Sequence, residues 1–331
     1  MRGRRIKVSP EEGSAVYHCI SRTVNGEFLF APEDREILRK QIWLVAEFCG
    51  VQVLTYTILS NHFHVLVQVP KAEPIPDEEL FRRYAVLYPS PTKYQTARLA
   101  VIKSLLQAGD PEGVKWRHRM LRLMGDVSSY LKLLKQRFSI AFNKRHKRYG
   151  TLWAERFKSL LLGGGVEVRA VAAYIDLNCV RAGLVLDPKE YRFCGYAEAV
   201  AGKHVAQLGL ERVMGENWKS AAPAYRQWLF GIGADPMSTK GRIPEAVATR
   251  VIEQHGHLGV HELLRCRIRY FTDGAVLGSR SFVEAILKRS LPGLRPTQRE
   301  RQPRPLSAEG PLSALCVLRM DGRPTAHAVA V

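Results

Sequence analysis

Apolar positions along this 331-residue chain change period several times, and each change predicts an element. Residues 15–22 (AVYHCISR) read as a first strand, closed by the turn pair Asn25-Gly26. Pro32 with Glu33 and Asp34 opens a helix on which Ile37, Leu38, Ile42, Val45, Ala46 and Cys49 recur at helical spacing, and Gly50 stops it. Two β-rich runs follow, 51–58 and 62–69, joined by Leu59-Ser60-Asn61 as a hairpin. From Asp126 a long helix carries the stripe Val127, Tyr130, Leu131, Leu134, Phe138, Ala141 and Phe142. A strand at 157–162 comes next, ended by Gly163-Gly164-Gly165, which lacks the Lys-Ser/Thr of a phosphate loop and reads as a hinge.

Between these elements, residues 70–125 are punctuated by six prolines around helical pieces at 77–88 and 93–108, and read as a helical insertion. The order β-α-β-β-(insertion)-α-β predicts an α+β fold of ferredoxin-like pattern. In it an antiparallel sheet packs against two helices and keeps one face available for a site. That domain spans 1–200. It includes a helix near 166–177, and beyond it the chain is mostly α-helical: helices near 208–214 and 219–230, a Gly/Pro-rich linker at 231–244, and a helical unit at 245–290. Within that unit, 263–270, Thr272-Asp273-Gly274 and 276–287 suit a helix-turn-helix or a plain helical hairpin. Residues 291–331 form a basic tail, rich in Pro and Arg over 291–311 and expected to be mobile.

Charge narrows the class of partner. With 50 Lys+Arg against 31 Asp+Glu the net charge is +19, which favours a polyanion, nucleic acid before an acidic membrane surface. Between 115 and 158 there are 13 Lys/Arg and two acids, Asp126 and Glu155. Such one-sided charge repels itself unless something neutralises it. Candidate DNA contacts are Lys132, Lys135, Arg137, Lys144, Arg145, Lys147, Arg148, Arg156 and Lys158, with Trp116, Tyr149, Trp153 and Phe157 as stacking surfaces. No apolar run approaches the roughly 18 residues of a spanning helix, so a soluble, intracellular protein is expected. Six scattered cysteines without a C-x-x-C pair argue against a disulfide framework or structural zinc.

One short stretch carries candidate chemistry. On a strand, His62 and His64 point to one face about 7 Å apart while Phe63 points to the other. Neutral imidazoles so placed can share a metal ion, although an exposed strand face gives the same spacing.

Asn61-His62-Phe63-His64-Val65-Leu66-Val67 resembles the His-apolar-His motif of single-tyrosine transposases, and the chain is similar to REP-associated tyrosine transposases. Four further stretches carry the likeness: Tyr17-His18 with Arg22, Phe142-Asn143 with His146, residues 150–158, and residues 174–185 (YIDLNCVRAGLV). The resemblance implies a metal ion, Mg²⁺ or Mn²⁺, on His62, His64 and a polar group of the helix from Asp126, which is expected to face them. Asn143 and Glu155 are the candidates for that third ligand. It implies nicking and rejoining of single-stranded or hairpin DNA through a tyrosine nucleophile. It also implies a bacterial cytoplasmic setting near nucleoid DNA, and leaves monomer and homodimer both open.

By register with Phe142-Asn143, the nucleophile position falls on Phe138, which has no hydroxyl. Tyr149 and Tyr130 are the substitutes. Tyr130 lies about 12 Å along the helix and about 80° round it from Phe138, on the apolar stripe. Cleaving transposase, non-cleaving DNA-binding protein and water-using phosphodiesterase are the three activities this sequence leaves open.

Overall fold

The computed structural model describes residues 5–230, 264, 269–290, 301–306, 308 and 310–319. The linker expected at 231–244 and half of the helical unit expected at 245–290 therefore lie outside the described residues. Strand β1 (Ala15–Arg22), helix α1 (Pro32–Cys49), strands β2 (Gln52–Ile58) and β3 (His62–Val69), helix α5 (Val127–Arg145) and strand β4 (Lys158–Leu162) realise the expected order. β1 lies between β3 and β4, and β3 lies between β1 and β2, every pairing antiparallel. The fold is mixed α+β, as expected.

The local signals act as the sequence suggests. Pro32 sits at the first helical position of α1, the Asp34 carboxylate accepts from Ala31 N–H at 3.0 Å, and Gly50 ends the helix at φ 65°. Asp126 caps α5 by accepting from Ser129 N–H at 2.8 Å. The insertion holds three helices rather than two: α2 (Asp77–Leu87), α3 (Lys93–Gln107) and α4 (Pro111–Leu121). The third follows its own start signal, Asp110 as cap and Pro111 at the first position.

Register decides which side chains share a face. His18 pairs with Leu66, Ile20 with His64 and Arg22 with His62, so these six line one face. Tyr17, Cys19, Ser21, Phe63, Val65 and Val67 line the other. Helices α1 and α5 pack together on the Phe63 face, where Phe63 meets Trp153, and Trp153 meets Phe138 of α5.

The histidine face is not left open. Helices α6 (Val166–Asp176), α7 (Asn178–Arg181), α8 (Gly195–Val200), α9 (His204–Met214) and α10 (Trp218–Phe230) follow β4, and α6, α8 and α9 cover the sheet on that side. Thr55 and Thr57 of β2 donate to Asp176 Oδ1 and to the Ile175 carbonyl, each at 2.7 Å, tying the end of α6 to the sheet. At Gly209 an added Cβ would stand 2.5 Å from the Leu54 carbonyl oxygen, so α9 lies almost directly on the bulged stretch of β2. The sheet is thus sandwiched, because the apolar residues of 166–176 need a surface to cover.

The C-terminal region also departs from expectation. Residues after α11 (Arg269–Asp273) form strand β5 (Val276–Ser279), then helix α12 (Arg280–Ser290), with strands β6 (Arg304–Pro305) and β7 (Leu315–Leu318) beyond. The sheet runs β2-β3-β1-β4-β5-β7-β6, with β4 and β5 parallel. The expected second helix of a helix-turn-helix, 276–287, is therefore a strand over its first third and helical from Arg280. The Leu315-Cys316-Val317-Leu318 run, expected within a tail, pairs with β5 because a four-residue apolar run is a buried strand when a sheet edge is offered. The glycine triplet turns the chain from β4 into α6. Gly165 takes φ 78° at the helix start, and a Cβ on Gly163 would meet Phe282 at 3.1 Å. Its role is a fixed turn and close packing. Cys19, Cys49, Cys179, Cys194 and Cys316 are buried and free.

Candidate metal and nucleic-acid site

His62 occupies the first position of β3 and His64 lies two residues inside, their ring centroids 5.2 Å apart. His64 is buried among His18, Tyr174 and the sheet; its ring stacks on His18 at 5.1 Å and meets Tyr174 edge-on at 6.2 Å.

Hydrogen bonds fix where the ring protons sit. His18 Nδ1 is 2.8 Å from the Phe271 carbonyl oxygen, which can only accept, so Nδ1 carries the proton. Burial holds His18 neutral by lowering its pKa to about 4, with the Arg181 charge acting in the same direction against the opposing Phe271 bond. A neutral His18 protonated on Nδ1 accepts at Nε2. Its Nε2 lies 2.8 Å from His64 Nδ1, so His64 donates there and its own lone pair falls on Nε2. Burial, then the neighbouring His18, His62, Arg181 and Arg22, push the His64 pKa well down and keep that lone pair unprotonated.

The same logic holds at His62. Asn61 Nδ2 donates to the Gly26 carbonyl at 2.9 Å, which orients the amide with Oδ1 toward His62. His62 Nδ1 lies 2.6 Å from that Oδ1 and donates to it, so that in the neutral ring the lone pair lies on Nε2. Both rings are thus in the tautomer that metal-ligating histidines adopt when the second nitrogen is held by a partner. His18 has both nitrogens committed and does not serve as a third ligand. Among the described residues no group of three His, Cys, Asp or Glu forms a complete metal cage.

Cations surround the pair. Arg22 is the β1 partner of His62, and Lys158 shares the His18–Ile20 face through its pairing with Ile20. Arg181 lies over the Tyr174 ring at 3.9 Å and bonds the Leu264 carbonyl at 2.6 Å. The segment joining α5 to β4 passes the same strand ends: Trp153 bridges Thr23, and Ala154 N–H donates to the Arg22 carbonyl at 3.0 Å. Glu155 follows immediately, and of the two expected oxygen ligands it is the one carried to this end of the sheet.

The other expected site residues lie elsewhere. Phe138 is fully buried on the opposite face, edge-on to Phe30 at 5.2 Å, so α5 does not face the histidines as the resemblance implied. The reason is the Phe63 face itself: the apolar stripe of α5 and that of α1 share it, and burial of both stripes fixes the helix there. Tyr130 is fully buried, its hydroxyl donating to the Ile42 carbonyl at 3.2 Å, a core residue. Asn143 donates to the Gly150 carbonyl at 3.1 Å and closes the turn after α5. Tyr149 lies on that turn, 95% exposed.

Of the expected DNA contacts, Lys132, Lys144, Lys147 and Arg156 are exposed and form no ion pair among the described residues. Arg145 pairs with Glu33 and Asp34, and Lys158 with Asp273 at 3.0 Å. Arg137 bonds the Leu87 carbonyl at 2.9 Å, and Arg148 the Thr151 carbonyl at 3.5 Å. Lys135 donates to the Glu155 carbonyl at 2.8 Å beside Trp153; burial first, then Arg5, lowers its pKa to about 8. Trp116 and Phe157 are buried and Trp153 is packed among Phe30, Phe63 and Phe138, so Tyr149 is the one expected stacking residue that stands clear. Phe28, on the loop after β1, is 80% exposed and was not expected. Sequence reasoning noted His18 and the 174–185 stretch as family likenesses, but the His18–His64 bond needs the strand register, which no single-chain pattern supplies.

No protein-family model matches the chain, and no curated protein matches it. Among solved structures the chain is similar to one described as a REP-associated tyrosine transposase bound to a REP hairpin. That likeness has 15% identity and a TM-score of 0.40 over 61% of this chain and 86% of the other. It is a distant structural relationship. No described helix is long and apolar enough to cross a membrane.

Proposed function

We propose that this chain is a transposase-like DNA-binding protein that takes hairpin-forming single-stranded DNA at the strand ends around His62. Its metal-dependent contact is made by His62 and His64, without a tyrosine–DNA covalent link. The observation that carries this reading is the hydrogen-bond chain Phe271–His18–His64, which leaves His64 a neutral Nε2 lone pair, beside His62, whose ring Asn61 orients on the same sheet face. The donor set fits a divalent ion as a partial site: two imidazoles from the protein, with Glu155 as the nearest candidate oxygen donor in the chain path. Mg²⁺ or Mn²⁺ so bound would act as Lewis acid and template for a phosphate oxygen.

The chain's own residues supply the rest. Arg22 places positive charge beside His62, where a phosphodiester anion is attracted. Exposed Phe28 and Tyr149 offer ring faces to unpaired bases. Asn61 and His18 hold the ring orientations. Against covalent cleavage stands the position of Phe138, which has no hydroxyl and lies on the far face.

Incubation with end-labelled hairpin DNA and Mn²⁺ followed by a denaturing gel tests the reading. A retarded complex on a native gel, and no product on the denaturing gel, is expected. A label that stays on the protein through denaturation overturns the non-covalent assignment, and cleaved DNA without adduct would instead favour water as nucleophile.

A further inference from the structure

The insertion builds a second cleft that the histidine site does not use. It lies between α2, α3 and α4, has a volume of about 490 Å³, and falls within the size of small-ligand clefts. Its wall is aromatic. Tyr84 meets Tyr88 at 5.0 Å between ring centroids and Trp116 edge-on at 5.4 Å, while Tyr94 stands 71% exposed at the rim. Two arginines, Arg98 of α3 and Arg119 of α4, line the same cleft, and neither forms an ion pair among the described residues. Both are near enough for their charge to act on the Tyr84 phenol, whose pKa burial raises and these guanidinium groups lower.

Helix α3 buries no side chain fully: Ile102 and Leu106 are half-buried against the core, and Leu99 and Ile102 line the cleft. A 15-residue helix normally buries its apolar stripe. Here the stripe is only half-covered beside the cleft, and the helix is held through α4, to which the turn at Gly109 (φ 68°) connects it. A wall of rings with unneutralised guanidinium groups at its mouth suits a planar, aromatic, anionic ligand: the rings take a base face and the arginines take phosphate.

We infer that the α2–α3–α4 cleft is a binding site for an unpaired nucleotide of single-stranded DNA, its base stacked against Tyr84, Tyr88 and Tyr94 and its phosphate held by Arg98 and Arg119. This rests on the reading that the chain binds DNA, and it adds a subsite on the insertion, away from the histidines. Bases in a duplex cannot enter, because both their faces are already stacked.

The test compares two fluorescent probes by anisotropy at fixed salt. One is a blunt DNA hairpin; the other is the same hairpin with an unpaired extension of about ten nucleotides, within the span of single-strand sites. Wild type is expected to bind the extended probe more tightly. R98E/R119E and Tyr94→Ala, both at exposed positions, should each lose about tenfold on the extended probe and under about twofold on the blunt one. Equal affinity of wild type for the two probes, or equal losses on both in the variants, overturns the subsite and leaves the DNA-binding reading standing. Failure of wild type to bind either probe overturns the DNA-binding reading, and the subsite falls with it. Unchanged thermal melting of the variants ties any selective loss to the cleft.

Discussion

His18 Nε2 stands 2.8 Å from His64 Nδ1, joining side chains of two neighbouring strands through one proton. That bond, with the Phe271 carbonyl on the far side of His18, decides that His64 carries its lone pair on Nε2. Removing it has a measurable consequence. His18→Leu leaves His64 free to take either tautomer and should weaken Mn²⁺ binding about 10- to 100-fold, the usual cost of losing such a partner. His62→Ala with His64→Ala should abolish binding altogether. Isothermal titration with Mn²⁺ reads both; retention of wild-type affinity in the double variant would dismiss the site.

Phe138 lies fully buried among Phe30, Phe142 and Trp153. Phe138→Tyr therefore restores no nucleophile. It places a hydroxyl in an apolar cluster and should lower stability by about 1–3 kcal/mol. Urea unfolding measures the loss, and a denaturing gel with labelled hairpin DNA should show no protein-linked label. Appearance of such a label would mean that α5 reaches the histidine side.

Asp176 supplies a pH signature. Its carboxylate is fully buried at the end of α6 and accepts from Tyr225, Thr55 and Cys194. Burial outweighs these bonds and raises its pKa from 3.8 to about 6. A carboxyl whose folded pKa lies above its unfolded value binds protons more tightly when folded. Its contribution is fully present below pH 3.8 and is lost as pH rises through about 6. Asp176→Asn does not titrate, so its stability relative to wild type should improve between pH 4 and 7, by about 3 kcal/mol at most. Thermal melting of both proteins across that range checks it; parallel pH curves would refute the assignment.

Gly209 lets α9 rest on β2, where a Cβ would stand 2.5 and 2.7 Å from the Leu54 and Val53 carbonyl oxygens. Gly209→Ala forces the helix away from backbone that cannot yield. Although alanine is the better helix former, the variant should be about 1–3 kcal/mol less stable. A melting temperature equal to or above wild type would show that the helix can shift without loss.

Much of this molecule is written in local pattern. The alternation of 15–22 and 62–69, the Pro32 start and Gly50 stop, the Asp126 cap and the Val127–Phe142 stripe define four elements, and the apolar runs at 51–58 and 157–162 add two more, in the right order. Their order is enough for the antiparallel core, since short connections and alternating faces leave few ways to pair such strands. The parity of His62 and His64 follows from strand geometry alone and placed both rings on one face.

Tertiary structure decided what surrounds that pair. Whether α5 or α6 covers the histidines depends on which face each apolar stripe reaches, and a stripe has no address in sequence. Register across β1 and β3 brings His18 to His64, 46 residues apart, and the Phe271 carbonyl to His18 from 253 residues away. The C-terminal strands likewise needed a sheet edge before the apolar run at 315–318 could be told from a tail. Periodicity reports one neighbour in space, the next turn or the next pleat. The chemistry at His62 and His64 depends on partners from distant segments, and only the folded chain brings those together.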